Sequence, residues 1–371
     1  MKLDAPDSRT NPADRPGSAT PGHALLEPGN DQPARVIAVI VSHDPDRDAL
    51  IAVLESLAAS GACVLVVDNS ESEAGCARVQ AIAAAHGAEA LCNPRNLGVA
   101  EAQNIGLRLA RERGFTHALL LDQDSVLEAD TVAQLVGAFH ALRRAGQPVA
   151  AVGASFVDSR SGFHYPFVRL RHVRTGRIWP QPGEVVECDL LISSGCLIGL
   201  DVVSQVGEMD GGFFIDYVDI EWCVRARAAG YKVFGVADAR MHHTIGERTV
   251  RVLGRLFNLH GAVRHYYFSR NALLFARKPY LSARWRLHLA YRVLGQLVLF
   301  GVLAKGRRER LPWLLRGLWD GVLGRTGRLG GPDGLAALRP PRRPAAAVVD
   351  GGQRPADGGE HPAEQTSLVR D

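Results

Sequence analysis

The sequence predicts an α/β fold built on a doubly wound, mostly parallel central sheet, and three observations carry that expectation. Short apolar runs recur at 36–41, 64–67, 116–121 and 149–156, too uniformly apolar for strands with one wet face. Segments of helical period lie between them, so strand and helix alternate through the first half of the chain. The runs also end in polar clusters, Asp68-Asn69-Ser70 and Asp122-Gln123-Asp124-Ser125. In open α/β sheets ligands collect at that end of the strands.

Met1 to about Ala34 is rich in Pro, Gly, Asp and Ser without periodicity and reads as a disordered arm. Val36–Val41 is the first strand. Asp46 to Ser60 then spaces Leu50, Val53, Leu54 and Leu57 helically, with Gly61 where such a helix stops. Val64–Val67 is a second buried strand, and Asp68 lies just past it. A helix over Glu73–His86 leads to a short strand near Ala88–Leu91 and a loop in which Asn96 and Gly98 allow tight turns beside a ligand. The next helix, about Val99 to Arg113, carries Gln103 and Asn104 where plain surface residues are expected; polar capping is the blander account. Thr116–Leu121 delivers Asp122 and Asp124, which in an extended segment point to one side. Such a pair suits one divalent cation, Mg²⁺ or Mn²⁺, shared with a nucleotide diphosphate, although an ordinary strand-end turn explains it about as well.

After a helix near Ala129–Ala145 and a strand at Val149–Phe156, Asp158 to Pro182 has weak periodicity and reads as hairpin and loop. Val185–Ile198 is an apolar strand kinked at Ser193-Ser194-Gly195, where glycine marks a bulge or a close-lying ligand. A helix starts near Val218 or Asp219, with Trp222, Cys223 and Ala226 on its apolar face and three acids, Asp216, Asp219 and Glu221, crowding its start. Glu221 and Arg225 form an i, i+4 pair. Lys232–Val236 is the last strand; beyond it His242 and His243 are candidate metal ligands, though adjacent histidines are more often incidental. Tyr266 to Asn271 is a basic, aromatic helix start suited to a phosphate or sugar.

The chain has 371 residues, 46% of them hydrophobic, enough to fill a substantial core. Six cysteines lack CxxC spacing, which argues against zinc or a disulfide framework and for a reducing cytosol, and no apolar run resembles a secretory signal. Residues 277–328 carry twelve Lys or Arg and two acids, whereas the remainder has a net charge of −6. That asymmetry points to an anionic surface. The uncharged stretch Val293–Ala304 is too short to span a bilayer, and with Trp285, Trp313 and Trp319 the segment reads as helices lying in a membrane interface, not as a nucleic-acid groove. An amphipathic helix pair packed on the domain is the plainer reading.

The ordered series from Val36 to Gly327 resembles the inverting glycosyltransferases of family 2, most closely their bacterial rhamnosyltransferase branch. The resemblance implies a GT-A domain over 35–276 between the arm at 1–34 and basic membrane-associated helices at 277–329, with a disordered tail at 330–371. By the same resemblance Asp68 reads the nucleobase, and Asn96, Gly98, Asn104 and Asp122 hold the nucleotide sugar. Asp122, Asp124 and His243 hold the cation, and Asp219 is the base. Val218 stands where the family has Glu, which leaves Asp216 as a rival base. Ser194, Gly195, Trp222, Arg270 and Asn271 are the expected substrate contacts. The implied reaction transfers rhamnose from dTDP-rhamnose to a glycan or polyprenyl-diphosphate-linked acceptor at the cytoplasmic face of the inner membrane. A galactofuranosyl- or other hexosyltransferase using a UDP-sugar is the alternative, and a non-catalytic sugar-nucleotide-binding protein is the reading from another class.

Overall fold

Four parallel strands set the frame that positions everything else. The computed structural model describes residues 34–330 except 160–161, 172–173, 244–247, 253–254, 260 and 304–305, so the expected arm up to 33 and the tail from 331 lie outside the described residues. β1 (Val36–Ser42) is buried along its whole length, as an uninterrupted β-branched run requires. It is followed by α1 (Arg47–Leu57), whose N-cap Asp46 accepts from the Asp48 and Ala49 amides. Next come β2 (Cys63–Asp68), α2 (Glu73–Ala85, capped by Ser72), β3 (Glu89–Cys92), α3 (Val99–Glu112) and β4 (His117–Asp122). The order β3-β2-β1-β4 is parallel throughout. All four strands therefore end on one edge, and Ser42, Asp68 and Asp122 are neighbours across it.

The second half widens this sheet. β5 (Val126–Leu127), α4 (Thr131–Arg144) and β6 (Val149–Asp158) precede a separate hairpin of β7 (Phe167–Arg171) and β8 (Arg174–Ile178). The run expected as one kinked strand over 185–198 is two strands in different places. β9 (Val185–Cys188) pairs with β11 (Lys232–His243), whereas β10 (Cys196–Gly199) runs antiparallel between β4 and β6. Gly195, at φ 73°, makes the turn into β10. Between β10 and β11 lie α5 (Leu200–Val206), a single 3-10 turn at Gly211–Phe213 and α6 (Val218–Ala228). β11 is longer than the expected 232–236: after an irregularity between Val236 and Arg240 it continues beside β6 as far as His243.

Helices α1, α2 and α4 cover one face of the sheet through Leu50, Leu54, Val79 and Phe139, while α3 and α6 cover the other through Leu107 and Trp222. Beyond the hairpin of β12 (Arg248–Val252) and β13 (Arg255–Leu259) come α7 (Ala262–Ala276), α8 (Ala283–Gln296), a π-helical stretch at Leu297–Leu303 and α9 (Arg307–Val322). Small residues let α9 lie close on α7, since a Cβ at Gly317 would meet the Tyr266 carbonyl at 2.3 Å. α8 buries Trp285 and Leu289 in the core and exposes Leu287, Tyr291 and Leu294. Among the described residues no helix is long and apolar enough to cross a membrane.

The cysteine expectation needs correction. Cys76 of α2 and Cys92 at the end of β3 form a disulfide, with Cα atoms 5.9 Å apart, so the compartment argument from cysteine spacing loses its support. CxxC spacing tests for local pairing, whereas these two cysteines meet because β3 returns beside α2.

Candidate active site

A cleft of about 1430 Å³ opens at the carboxyl edge of the sheet, with Ser42, Asn69 and Asn96 toward one end and Asp122, Asp219 and His243 among its lining. β4 brings Asp122 there and the following turn brings Asp124. His243 arrives from the far end of β11, whose extension beside β6 carries it to the same edge. Its Nδ1 is 3.3 Å from Asp124 Oδ1 and its Nε2 is 3.8 Å from Asp122 Oδ2. One donor atom from each of the three lies within 4.8 Å of the other two. Burial pushes the Asp122 carboxyl up, against the pull of His243. Burial also lowers the His243 imidazole, but the hydrogen bond to Asp124 and the two carboxylate charges outweigh it and the net direction is upward. Two carboxylates and an imidazole opening onto a cleft fit a divalent cation that completes its shell with phosphate oxygens.

A relay of hydroxyls holds this cluster from behind. The Asp122 amide donates to Ser194 Oγ at 3.1 Å, Ser194 donates to Ser125, and Ser125 Oγ lies 2.9 Å from His243 Nδ1. Ser194 thus supports the acids. Gly195 packs against Met241.

Asp219 lies in the first turn of α6. Its Oδ1 accepts from the Ile220 amide at 2.8 Å and its Oδ2 from the Ser193 amide at 3.3 Å. Burial raises its pKa to about 6, with Asp122 and Asp216 adding repulsion. The rival Asp216 also lines the cleft, but Arg264 Nε holds both its oxygens, at 3.1 and 3.2 Å. Of the two, Asp216 is tied up by an arginine, whereas Asp219 is held by backbone amides and has a pKa suited to accepting a proton near neutrality.

Asn96 and Gly98 line the cleft. Asn96 Oδ1 accepts from the Gly98 amide at 2.9 Å, and Gly98 (φ 86°) comes so close to Phe214 that a Cβ would lie 2.5 Å from that residue's carbonyl oxygen. The other expected contacts stand behind the wall. Asp68 is fully buried and accepts from the Ser42 and Ser70 hydroxyls at 2.7 and 2.9 Å. Asn104 is buried, exchanges two hydrogen bonds with the Met209 backbone and donates to Glu101. Trp222 is a core residue whose Nε1 donates to the Gly207 carbonyl. Arg270 and Asn271 are buried as well. Arg270 donates to the Gly212, Phe213 and Gly327 carbonyls, and Asn271 Nδ2 lies 2.7–3.0 Å from those of Phe213, Ile215 and Asp216. They grip the loop that leads to Asp219. The segment after α9 ties in here too, through Gly327 to Gly212, Leu329 to Tyr267 and Arg328 to Glu71.

Sequence reasoning missed Ser125, Ser193, Arg264 and the wall made by Tyr291, Arg292 and Leu294. Ser125 stood inside the DQDS cluster and was open to discovery; a backbone amide such as that of Ser193 leaves no sequence signal. Of the HHTIGE stretch, Thr244–Glu247 lies outside the described residues.

Comparison with known proteins identifies the family and the fold. The family described as "Glycosyltransferase like family 2" matches residues 33–267, from just before β1 into α7. A dTDP-rhamnosyl transferase, RfbF of Shigella flexneri, is 30% identical over 302 residues, covering 79% of this chain and 97% of the relative. An uncharacterized protein of Mycobacterium bovis is 25% identical over 230 residues, 61% of this chain and 76% of its own. Among solved structures, S. aureus TarS 1–349 in complex with UDP-GlcNAc shares the fold at a TM-score of 0.50 and 13% identity, over 78% of this chain and 81% of that one. With its mostly parallel sheet, its acid-lined cleft and a family match over more than half its length, the chain belongs to glycosyltransferase family 2 and is a glycosyltransferase of the GT-A fold.

Proposed function

We propose that this protein is an inverting, metal-dependent rhamnosyltransferase that moves L-rhamnose from dTDP-rhamnose to a lipid-linked or cell-surface glycan. The observation that carries the reading is the meeting of Asp219 with Asp122, Asp124 and His243 in one cleft. The donor is supported by the relative that is named a dTDP-rhamnosyl transferase. Asp219 takes the proton of an acceptor hydroxyl. The freed oxygen bonds to the anomeric carbon from the face opposite the nucleotide while the bond to the diphosphate breaks, so no covalent sugar intermediate is needed. Asp122, Asp124 and His243 would hold Mg²⁺ or Mn²⁺, which supplies charge neutralisation for the leaving diphosphate when bound. Asn69, Asn96 and Gly98 line the end suited to the nucleotide, Asp68 fixes Ser42 beside it, and the Ser193 amide orients the base.

The acceptor side of the cleft is walled by Tyr291, Arg292, Leu294 and Val298. An apolar wall carrying an arginine fits a polyprenyl-diphosphate-linked glycan met at the cytoplasmic face of the inner membrane, with the protein bound peripherally.

The deciding experiment is nucleotide release from a panel of dTDP-, UDP- and GDP-sugars, with and without Mg²⁺ or Mn²⁺ and with lipid-linked acceptor. Release from dTDP-rhamnose should need the cation and fall about 10²–10⁴-fold in Asp219→Asn. Turnover of a UDP-sugar instead would keep the chemistry and replace the donor. Binding of every donor without turnover, acceptor present, would leave a non-catalytic binding protein.

A further inference from the structure

Beside the cleft lies a smaller recess of about 410 Å³, lined by Arg174 and Thr175 of β8 and by His288, Tyr291 and Arg292 of α8. Tyr291 and Arg292 line the cleft as well, so the two spaces meet along α8. No carboxylate is among the residues lining the recess. Arg174 and Arg292 are both exposed, and guanidinium groups from two separate elements therefore face one space. Like charges gathered in this way repel unless an anion sits with them, and the planar fork of each guanidinium matches phosphate oxygens.

The surroundings say what kind of anion fits. Arg292 stacks on the Phe268 ring at 5.3 Å, and that ring lies 4.9 Å from Tyr217, which precedes α6 two positions before Asp219. Two rings in succession thus link Arg292 to the start of α6. On the same helix and its π-helical continuation, Leu287, Tyr291, Leu294 and Val298 are exposed at spacings of four, three and four residues, which aligns them on one face. A phosphate fork joined to an apolar track, with Tyr291, Arg292, Leu294 and Val298 lining the same cleft as Asp219, describes a ligand with an anionic group between a long hydrocarbon chain and a sugar.

We propose that Arg174 and Arg292 hold the phosphate or diphosphate of an isoprenoid-linked acceptor. Its chain runs along Leu294 and Val298, and its glycan passes Tyr291 toward Asp219. The assignment rests on the lipid-linked acceptor advanced above and adds the residues that would recognise it.

The test uses full-length protein saturated with dTDP and Mn²⁺, so that the donor end and its cation are occupied. Farnesyl diphosphate, inorganic diphosphate and farnesol are titrated by calorimetry into wild type, Arg174→Gln and Arg292→Gln. Farnesyl diphosphate should bind the saturated wild type at least tenfold more tightly than either of the other two probes. Each substitution should weaken it about tenfold. An unchanged dTDP affinity, measured without the lipid, certifies that each variant is folded. Farnesyl diphosphate binding that neither substitution weakens, or that dTDP saturation abolishes, overturns the site. Equal binding of inorganic diphosphate overturns the lipid and leaves a free-phosphate site. Donor turnover is scored separately: if dTDP-rhamnose is not used but farnesyl diphosphate behaves as expected, the donor fails and the recess stands.

Discussion

At Asp219 burial works against charge while two backbone amides work for it, and burial wins, leaving the carboxyl half-protonated near pH 6. Turnover should therefore fall as pH drops through about 6, because gain of a single proton removes the active form. A rate flat from pH 5 to 8 would remove Asp219 as the base. The same shift bears on stability. Between its ordinary value of 3.8 and about 6 the folded state holds the proton more tightly than the unfolded chain, so this group's contribution is lost as pH rises through that window. Asp219→Asn should accordingly raise stability at pH 7 by on the order of 1–2 kcal/mol and change it little at pH 4, a difference that calorimetry of both proteins at both pH values will reveal. How far such roles can be read from sequence differs residue by residue. Asp122 and Asp124 were legible as a pair from their spacing at a strand end, but β4 stops at Asp122, and a turn, not strand alternation, carries Asp124 to the same side. In the histidine pair strand alternation alone does not say which ring faces the acids, and only the family resemblance picks His243: His242 pairs with Glu128 at 3.1 Å, and His243 turns to Asp122 and Asp124. Trp222, Arg270 and Asn271 were legible as special, but whether they face the cleft or stand behind it depends on burial, which a single sequence does not display.

The loop entering α6 shows what an element can store. Phe214, Asp216 and Tyr217 all have φ between 64° and 67°, a conformation that costs a side-chain-bearing residue roughly 1–2 kcal/mol each. Carbonyls throughout this stretch are gripped: that of Phe214 by the Val99 amide at 2.7 Å, the others by Arg270 and Asn271. Removing the grip should let the loop relax. Asn271→Ala is expected to cost about 2–3 kcal/mol in thermal unfolding, because it orphans several buried carbonyls. It should also lower kcat far more than it weakens dTDP binding, since Asn69 and Asn96 at the proposed nucleotide end stay in place. Equal losses in both would mean that Asn271 acts on the nucleotide instead. The strands and helices of the first half were legible element by element because their patterns are local. This loop was not, because its conformation is imposed by α7, more than fifty residues further along.

Across the whole molecule charge is segregated: twelve basic residues and two acids lie within 277–328, where Leu294 and Trp319 also keep 62% and 59% of their surface exposed. Vesicles containing anionic lipid should bind the protein more tightly than neutral ones, and the difference should shrink as salt rises, each engaged Lys or Arg contributing about 1 kcal/mol at the surface. Flotation of wild type against the double substitution Leu294→Ser and Trp319→Ser measures this, and co-flotation equal for both proteins and both lipids would dismiss the membrane face. Point substitutions are the cleaner choice here than deletion of the segment, because α9 packs on α7. That packing has a further consequence. Gly327 and Leu329 close onto Gly212 and Tyr267, so a stretch that leaves the ribosome more than a hundred residues after Asp219 is the one that fastens the loop beside it. Asn69, Asn96, Asp122 and Asp219 all precede that stretch, so a nascent chain halted at residue 267, the edge of the family match, would carry Asp219 on a loop not yet fastened. On the roles proposed above, synthesis itself would separate holding a sugar nucleotide from being able to spend it.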